Sequence, residues 1–227
     1  MKNKKAVFLD LDGTLLPVDS ERLFEAYFSR LKKSRLLTLI APDRKEAFRI
    51  FCDAADVMMR NEGSDCNDNV FFARIESLTG RGKAELEKPF DDFYKTVFSG
   101  LDRLLAKSNG IQRQVLDTLR AKGYQTVLAT MPVFPPTAAA ARLSWVGLSP
   151  GDFDYISHYR NSSFLKTHHG YYREILKNTG LQGEDCIMVG NNIEEDMLAE
   201  DLGFGVFLVT GYEIGAYRPG AYPSGDL

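Results

Sequence analysis

Short apolar runs bounded by turn residues alternate along this chain with stretches whose apolar positions recur every three to four residues. Ala6 to Leu9 (AVFL) is the first run, ending at Asp10 with Gly13 close behind; it predicts a buried strand and then a sharp loop. The next runs come only after residue 120: Thr126 to Ala129, Tyr155 to Ser157, Cys186 to Val189 and Val206 to Val209. Helical spacing separates them. Ile111, Val115, Leu116 and Leu119 precede a stop at Gly123, and Tyr171, Tyr172, Ile175 and Leu176 precede one at Gly180. Strand and helix in alternation predict an α/β fold with a doubly wound parallel sheet, whose ligands bind at the carboxyl ends of the strands.

From about Pro17 to about Lys107 the pattern changes. No strand period is present, and four apolar stripes recur at helical spacing: Leu23, Phe24, Tyr27, Phe28, Leu31; Phe48, Phe51, Cys52, Ala55, Met59; Phe71, Phe72, Ile75, Leu78; and Phe90, Phe93, Tyr94, Val97, Leu101, Leu104. This is an all-helical insertion directly after the first strand, so it rises over the end of the sheet where a ligand would sit. Its Phe and Met stripes read as its own core. The tail from Gly211 to Leu227 carries six Gly and Pro residues with Tyr212, Tyr217 and Tyr222 among them, and reads as irregular chain laid on the core rather than a sixth strand.

Composition narrows the classes. The 227 residues carry 28 Lys and Arg against 31 Asp and Glu, a net charge of -3, so no basic field points to nucleic acid. No apolar segment approaches the roughly 20 residues that span a bilayer, and the basic start MKNKK leads into a run broken by Asp10 and Asp12, unlike a secretory leader. Cys52, Cys66 and Cys186 lie far apart with no disulfide or metal spacing. A soluble, cytoplasmic protein without nucleic-acid or membrane partners is the expectation; oligomeric state is not legible.

The chemistry begins at LDLDGTL. Asp10 and Asp12 straddle one residue at a strand end, so an extended backbone turns both carboxylates to one side. Two close carboxylates repel, and one holds its proton more tightly: a nucleophile or metal ligand beside a general acid/base. A lone Asp-Gly would equally close a strand with an Asx-turn, but the six residues DLDGTL together are more specific than that.

DLDGTL after a short apolar strand and before an all-helical insertion resembles the first motif of the haloacid dehalogenase (HAD) superfamily of phosphohydrolases. The resemblance implies three further motifs in order. Thr130 ends TVLAT, where the family has a Ser or Thr, and the prolines of MPVFPP lead into a helix near Thr137. Lys166 in SFLKTHHGYYREIL stands just before a helix, with Thr167 where the family usually has Pro. His168 and His169, adjacent in sequence, would not share a helix face. VGNNIEED carries Gly190, then Asn191 in the place of the first family acid and Asp196 in the place of the second. The same turn reads as a helix start, with Asn191 or Asn192 as N-cap and Glu194 or Glu195 at the third position.

What the resemblance implies is a Rossmann-like core of residues 1–16 and 108–227 with the first strand central, and a helical cap of the C1 type over 17–107. It implies a Mg²⁺-dependent hydrolase acting on a small soluble phosphate monoester. Asp10 would be the nucleophile, Asp12 the acid/base, and Lys166 a cationic catalytic partner. Gly13, Thr14, Thr130, Met131 and Lys166 would bind phosphate, and Asp10, Asp12, Asn191 and Asp196 would hold the metal. A Mg²⁺ site uses only one or two protein carboxylates, while losing a unit charge at about 4 Å removes on the order of 4 kcal/mol at an effective dielectric near 20. Weakened rather than absent Mg²⁺ binding is therefore expected. A phosphomutase, a dehalogenase, or a phosphate-binding module silenced by Asn191 are the alternatives, although family dehalogenases need no second Asp. Arg44, Arg49, Met58 and Arg60 are candidates for specificity by location alone.

Overall fold

The computed structural model describes residues 4–104, 110–216, 218 and 220–227. Six strands form one all-parallel sheet: β1 (Ala6–Leu9), β2 (Gln125–Leu128), β3 (Tyr155–Ile156), β4 (Cys186–Gly190), β5 (Gly205–Val209) and β6 (Ser224–Gly225), in the order β3-β2-β1-β4-β5-β6. Ala6 lies level with Gln125 on one side and Cys186 on the other, so β1 is central and the ends of β1, β2 and β4 meet at one edge. All four β1 residues are buried, as a strand covered on both faces requires. Alternation divides them: Val7 and Leu9 join one apolar cluster, Ala6 and Phe8 the other.

The α/β architecture read from the chain is the one observed, with one correction. Ser224–Gly225 pairs in parallel with Leu208 and Val209, so the tail does contribute a sixth strand, too short to leave a period in the sequence. Ahead of it, residues 211–215 are stitched onto the turn after β4: Ile193 N–H donates to the Ile214 carbonyl and Ile214 N–H to the Asn191 carbonyl, each at 2.9 Å. Tyr217 and Pro219 lie outside the described residues.

Every described element between β1 and the next core helix is helical: α1 (Ser20–Lys33), α2 (Leu36–Ile40), α3 (Arg44–Met59), α4 (Asn67–Thr79), α5 (Lys83–Phe93), then a π-turn (Tyr94–Phe98) and a 3₁₀ segment (Ser99–Leu104). Asp19 and Asp43 cap α1 and α3 by accepting from Arg22 N and Glu46 N. Pro89 inside α5 removes one helical donor, and the ladder widens into the π-turn five residues on. The boundary expected between 107 and 108 falls outside the described residues. The core helices are α6 (Ile111–Ala121), α7 (Pro136–Trp145) and α8 (His169–Thr179). The cluster holding Val7 and Leu9 runs without a break through Leu11, Leu15 and Leu16 into the insertion at Tyr27 and Phe90. Among the described residues no helix is long and apolar enough to cross a membrane.

Candidate active site

Asp10 follows β1 directly, and Leu11 is fully buried between it and Asp12. Both carboxylates line one cavity, although the extended run expected through residue 12 ends at Leu9 and Leu11 already lies in a turn. The chain then turns back on itself: Leu16 N–H donates to the Leu11 carbonyl at 2.7 Å and Gly13 N–H to the Leu16 carbonyl at 2.8 Å. Gly13 sits at φ +86°, with the Asn191 amide where a Cβ would be. Only glycine satisfies both demands.

Lys166 comes from the loop ahead of α8, whose N-cap, His168, accepts from Gly170 N at 2.9 Å. Its Nζ lies 2.5 Å from Asp10 Oδ1 and 2.5 Å from Asp196 Oδ1, with the lysine wholly buried. Burial disfavours the ammonium, but the carboxylates on either side more than offset it, and the Lys166 pKa stands well above its ordinary value. His169 pairs with Asp201 at the surface.

Thr130 lies two residues beyond β2. Ser157 Oγ and Tyr171 OH donate to its carbonyl at 2.8 and 2.9 Å, which fixes the backbone. Its own hydroxyl is buried with no partner, and with Met131 it lines the cavity beside Asp10. A buried hydroxyl left unpaired is costly and fits a site that receives an acceptor from outside the chain.

Sequence reasoning missed Arg142. This cation on α7 is 1% exposed, its guanidinium 5.1 Å from the centre of the Phe134 ring, and it forms an ion pair with Asp12 Oδ2. The only signal was an arginine in the small-residue run AAAARLSW. Asp12 Oδ1 is buried and unpartnered. Burial raises the Asp12 pKa; Arg142 opposes the rise and the nearby Asp10 adds to it.

The turn after β4 departs from the helix start read from the chain. Residues 193–196 form turns, and a 3₁₀ segment (Met197–Leu202) follows. Asn192 Oδ1 accepts from Glu194 N at 3.0 Å, while Asp196 Oδ2 accepts from Asn192 N at 2.8 Å; the reciprocal acid is Asp196, not Glu194 or Glu195. Gly190 is needed because the Asp196 carboxylate fills the space of a Cβ. Asp196 is wholly buried beneath Lys166 and does not line the cavity.

Asn191 is 2% exposed. Its Nδ2 donates to the Tyr212 carbonyl at 2.5 Å and its Oδ1 accepts from Thr14 Oγ1 at 3.1 Å. A carbonyl only accepts, so the amide nitrogen must face Tyr212. Glu195, read only as a capping acid, lines the cavity instead. Burial lifts its pKa to about 7, with Lys166 pulling the other way. Among the described residues no three His, Cys, Asp or Glu side chains converge as a metal cluster. The all-oxygen set of Asp10, Asn191 and Glu195 around one cavity still suits Mg²⁺, which takes water and phosphate for most of its shell.

Beyond these groups the cavity, about 460 Å³, extends into the helical insertion. Phe24, Phe51, Met58, Met59 and Phe90 line it, so stripes read as the insertion's own core also face this space. Met58 is the one specificity candidate that does so. Arg44 donates to the carbonyls of Lys32 and Ser34, Arg49 pairs with Glu46, and Arg60 with Asp56, all away from the cavity.

The family model for haloacid dehalogenase-like hydrolases matches residues 4–199. No curated protein sequence matches the chain. Among solved structures, a HAD phosphatase from Thermococcus onnurineus is similar with TM-score 0.56 and 19% identity, over 98% of this chain and 93% of that one. An L-2-haloacid dehalogenase from Xanthobacter autotrophicus, with chloropropionic acid covalently bound, gives TM-score 0.51 and 17% identity over 91% and 77%. A β-phosphoglucomutase from Clostridium difficile gives TM-score 0.51 and 15% identity over 92% and 86%. These likenesses establish the fold.

Proposed function

The chain belongs to the haloacid dehalogenase-like hydrolases, and from that premise we propose that it hydrolyses a phosphate monoester through a covalent aspartyl-phosphate on Asp10. The observation that carries this reading is the pairing of Asp10 with a second carboxylate, Asp12, on the same cavity, beside the unpartnered hydroxyl of Thr130. Carbon attack needs no second carboxylate.

Asp10 Oδ2, the oxygen not engaged by Lys166, attacks phosphorus, and the ester P–O bond breaks. Asp12, whose burial holds its proton more tightly, gives that proton to the departing alkoxide. It then takes one from the water that attacks phosphorus and displaces Asp10. Arg142 orients Asp12. The Thr130 hydroxyl, the Lys166 ammonium and the backbone beside Gly13 and Met131 hold phosphoryl oxygens as charge redistributes, and Thr14 keeps Asn191 in place through its hydroxyl.

Mg²⁺ would be held by Asp10, the Asp12 carbonyl, Asn191 and Glu195, where it would supply positive charge opposite the phosphoryl group. Asp196 acts through Lys166 rather than on the ion. Residues 17–107 act as a cap that excludes water and selects the leaving group.

A second reading, hydrolysis of a carbon–halogen bond, draws on one feature: Asn191 has both ends of its amide engaged within the protein, and carbon attack requires no metal. Phosphate release from a panel of monoesters with and without Mg²⁺, run beside halide release from 2-haloacids, separates the two. Phosphate release that depends on Asp10 supports the first. Halide release alone establishes the second, and phosphate binding without either points to a non-catalytic module.

A further inference from the structure

Resting on the phosphomonoesterase reading, we propose that the leaving group is a bulky apolar alcohol, seated in the part of the cavity enclosed by the helical insertion. The cavity runs from Asp10, Asp12 and Thr130 into the insertion, and its walls change character along the way. Of the insertion's residues lining it, only Ser20, Tyr27 and Tyr94 carry a polar group. The two tyrosine hydroxyls are bonded to each other at 2.8 Å, so only the one that accepts keeps a proton to donate. The Tyr159 hydroxyl, also on the cavity, is buried and unpaired, so this wall offers a ligand only a few isolated hydroxyls.

A sugar would bring several hydroxyls against this wall, and each one left without a partner weakens binding by about tenfold or more. A second anionic group fares no better. The insertion's candidate arginines are engaged with carbonyls and carboxylates outside the cavity, and Arg142 is paired with Asp12. The mouth points the same way. Phe24, Met59 and Ile214, at 41, 47 and 42% exposure, are among the most exposed large hydrophobic side chains described, and all three line this cavity. Apolar surface gathered at the entrance of a site is what a ligand with an apolar body covers.

The test compares methyl, butyl and octyl phosphate with glycerol 3-phosphate, whose leaving groups are all primary alcohols. Expected is a rise in kcat/KM of about threefold per methylene until the cavity is filled, with glycerol 3-phosphate no better than methyl phosphate. A flat chain-length profile, or preference for glycerol 3-phosphate, overturns the proposal. Phe24→Asp and Met59→Asp, at half-exposed positions where folding tolerates charge, should each lower the octyl-to-methyl ratio about tenfold; an unchanged ratio in both counts against it. If no ester releases phosphate, the hydrolase reading fails, and calorimetry still decides the pocket. Octylphosphonate binding at least about thirtyfold more tightly than methylphosphonate supports it, and equal affinity overturns it.

Discussion

The side-chain amide of Asn191 donates to the backbone carbonyl of Tyr212 at 2.5 Å, a bond that a carboxylate at this position could not make. Restoring the family's acid is therefore not simply a gain of metal affinity. Asn191→Asp should lower the stability of the metal-free protein by about 1–3 kcal/mol at pH 7, because a carboxylate would face a carbonyl in a buried site. Urea denaturation of the two proteins without metal measures this. Equal stability would mean that the amide contributes nothing as a donor.

Asp10→Asn should lower phosphate release by about three orders of magnitude or more, since in the proposed mechanism Asp10 alone forms the covalent intermediate. Single-turnover assays with the fold checked by circular dichroism are decisive. Residual turnover near the wild-type rate would sink the nucleophile assignment.

Lys166 separates two buried acids, so Lys166→Met should cost about 3–5 kcal/mol by leaving like charges uncompensated. Adding Asp196→Asn should return much of that stability while turnover stays low. Recovery of both together would reduce the lysine to a structural role.

Glu195 gives a pH dependence of defined sign. Its folded pKa, raised by burial to about 7, lies above its unfolded value, so its contribution to stability is present below pH ~4.5 and is lost as pH rises through about 7. Glu195→Gln should thus match the wild type near pH 4 and exceed it by about 3 kcal/mol at pH 8. Added Mg²⁺ should raise the melting temperature of the wild type more than that of the variant. A shift of equal size in both would remove Glu195 from the metal's oxygens.

Asp152 behaves in the opposite sense. Arg113 donates to it through both terminal nitrogens, at 2.7 and 2.8 Å, and holds its pKa well below the usual carboxylate range. The stability from this pair is complete above the unfolded Asp pKa near 4 and fades as pH falls below it. Asp152→Asn should cost about 2 kcal/mol at pH 7, with the gap narrowing at pH 3. Chemical denaturation at the two pH values reads it directly.

Much of this was legible from short-range pattern. Ala6–Leu9 and Cys186–Val189 announced themselves as buried strands because a central parallel strand is apolar on both faces, and DLDGTL, Thr130 and Lys166 stood at the loop positions that the sheet brings together. Arg142 was not legible, because its role depends on α7 crossing beside Asp12, a contact 130 positions away in the chain. Ser224–Gly225 was hidden by its brevity. Glu195 was misread because a carboxylate in a first turn looks the same whether it faces a helix end or a cavity. The insertion's Phe and Met stripes carried the same ambiguity: periodicity tells which side is apolar, not whether another helix or a ligand lies against it.

The bonds joining Thr14, Asn191 and Tyr212 also impose an order on the making of the site. Asp10 and Asp12 lie some 150 positions ahead of Lys166, and the segment that locks Asn191 lies later still. Until those segments meet, Asp10 has no ammonium beside it and the Asn191 amide nitrogen has no carbonyl to bond. The proposed site is therefore a property of the assembled sheet and not of any one local segment: it exists only when stretches far apart in the chain have come together.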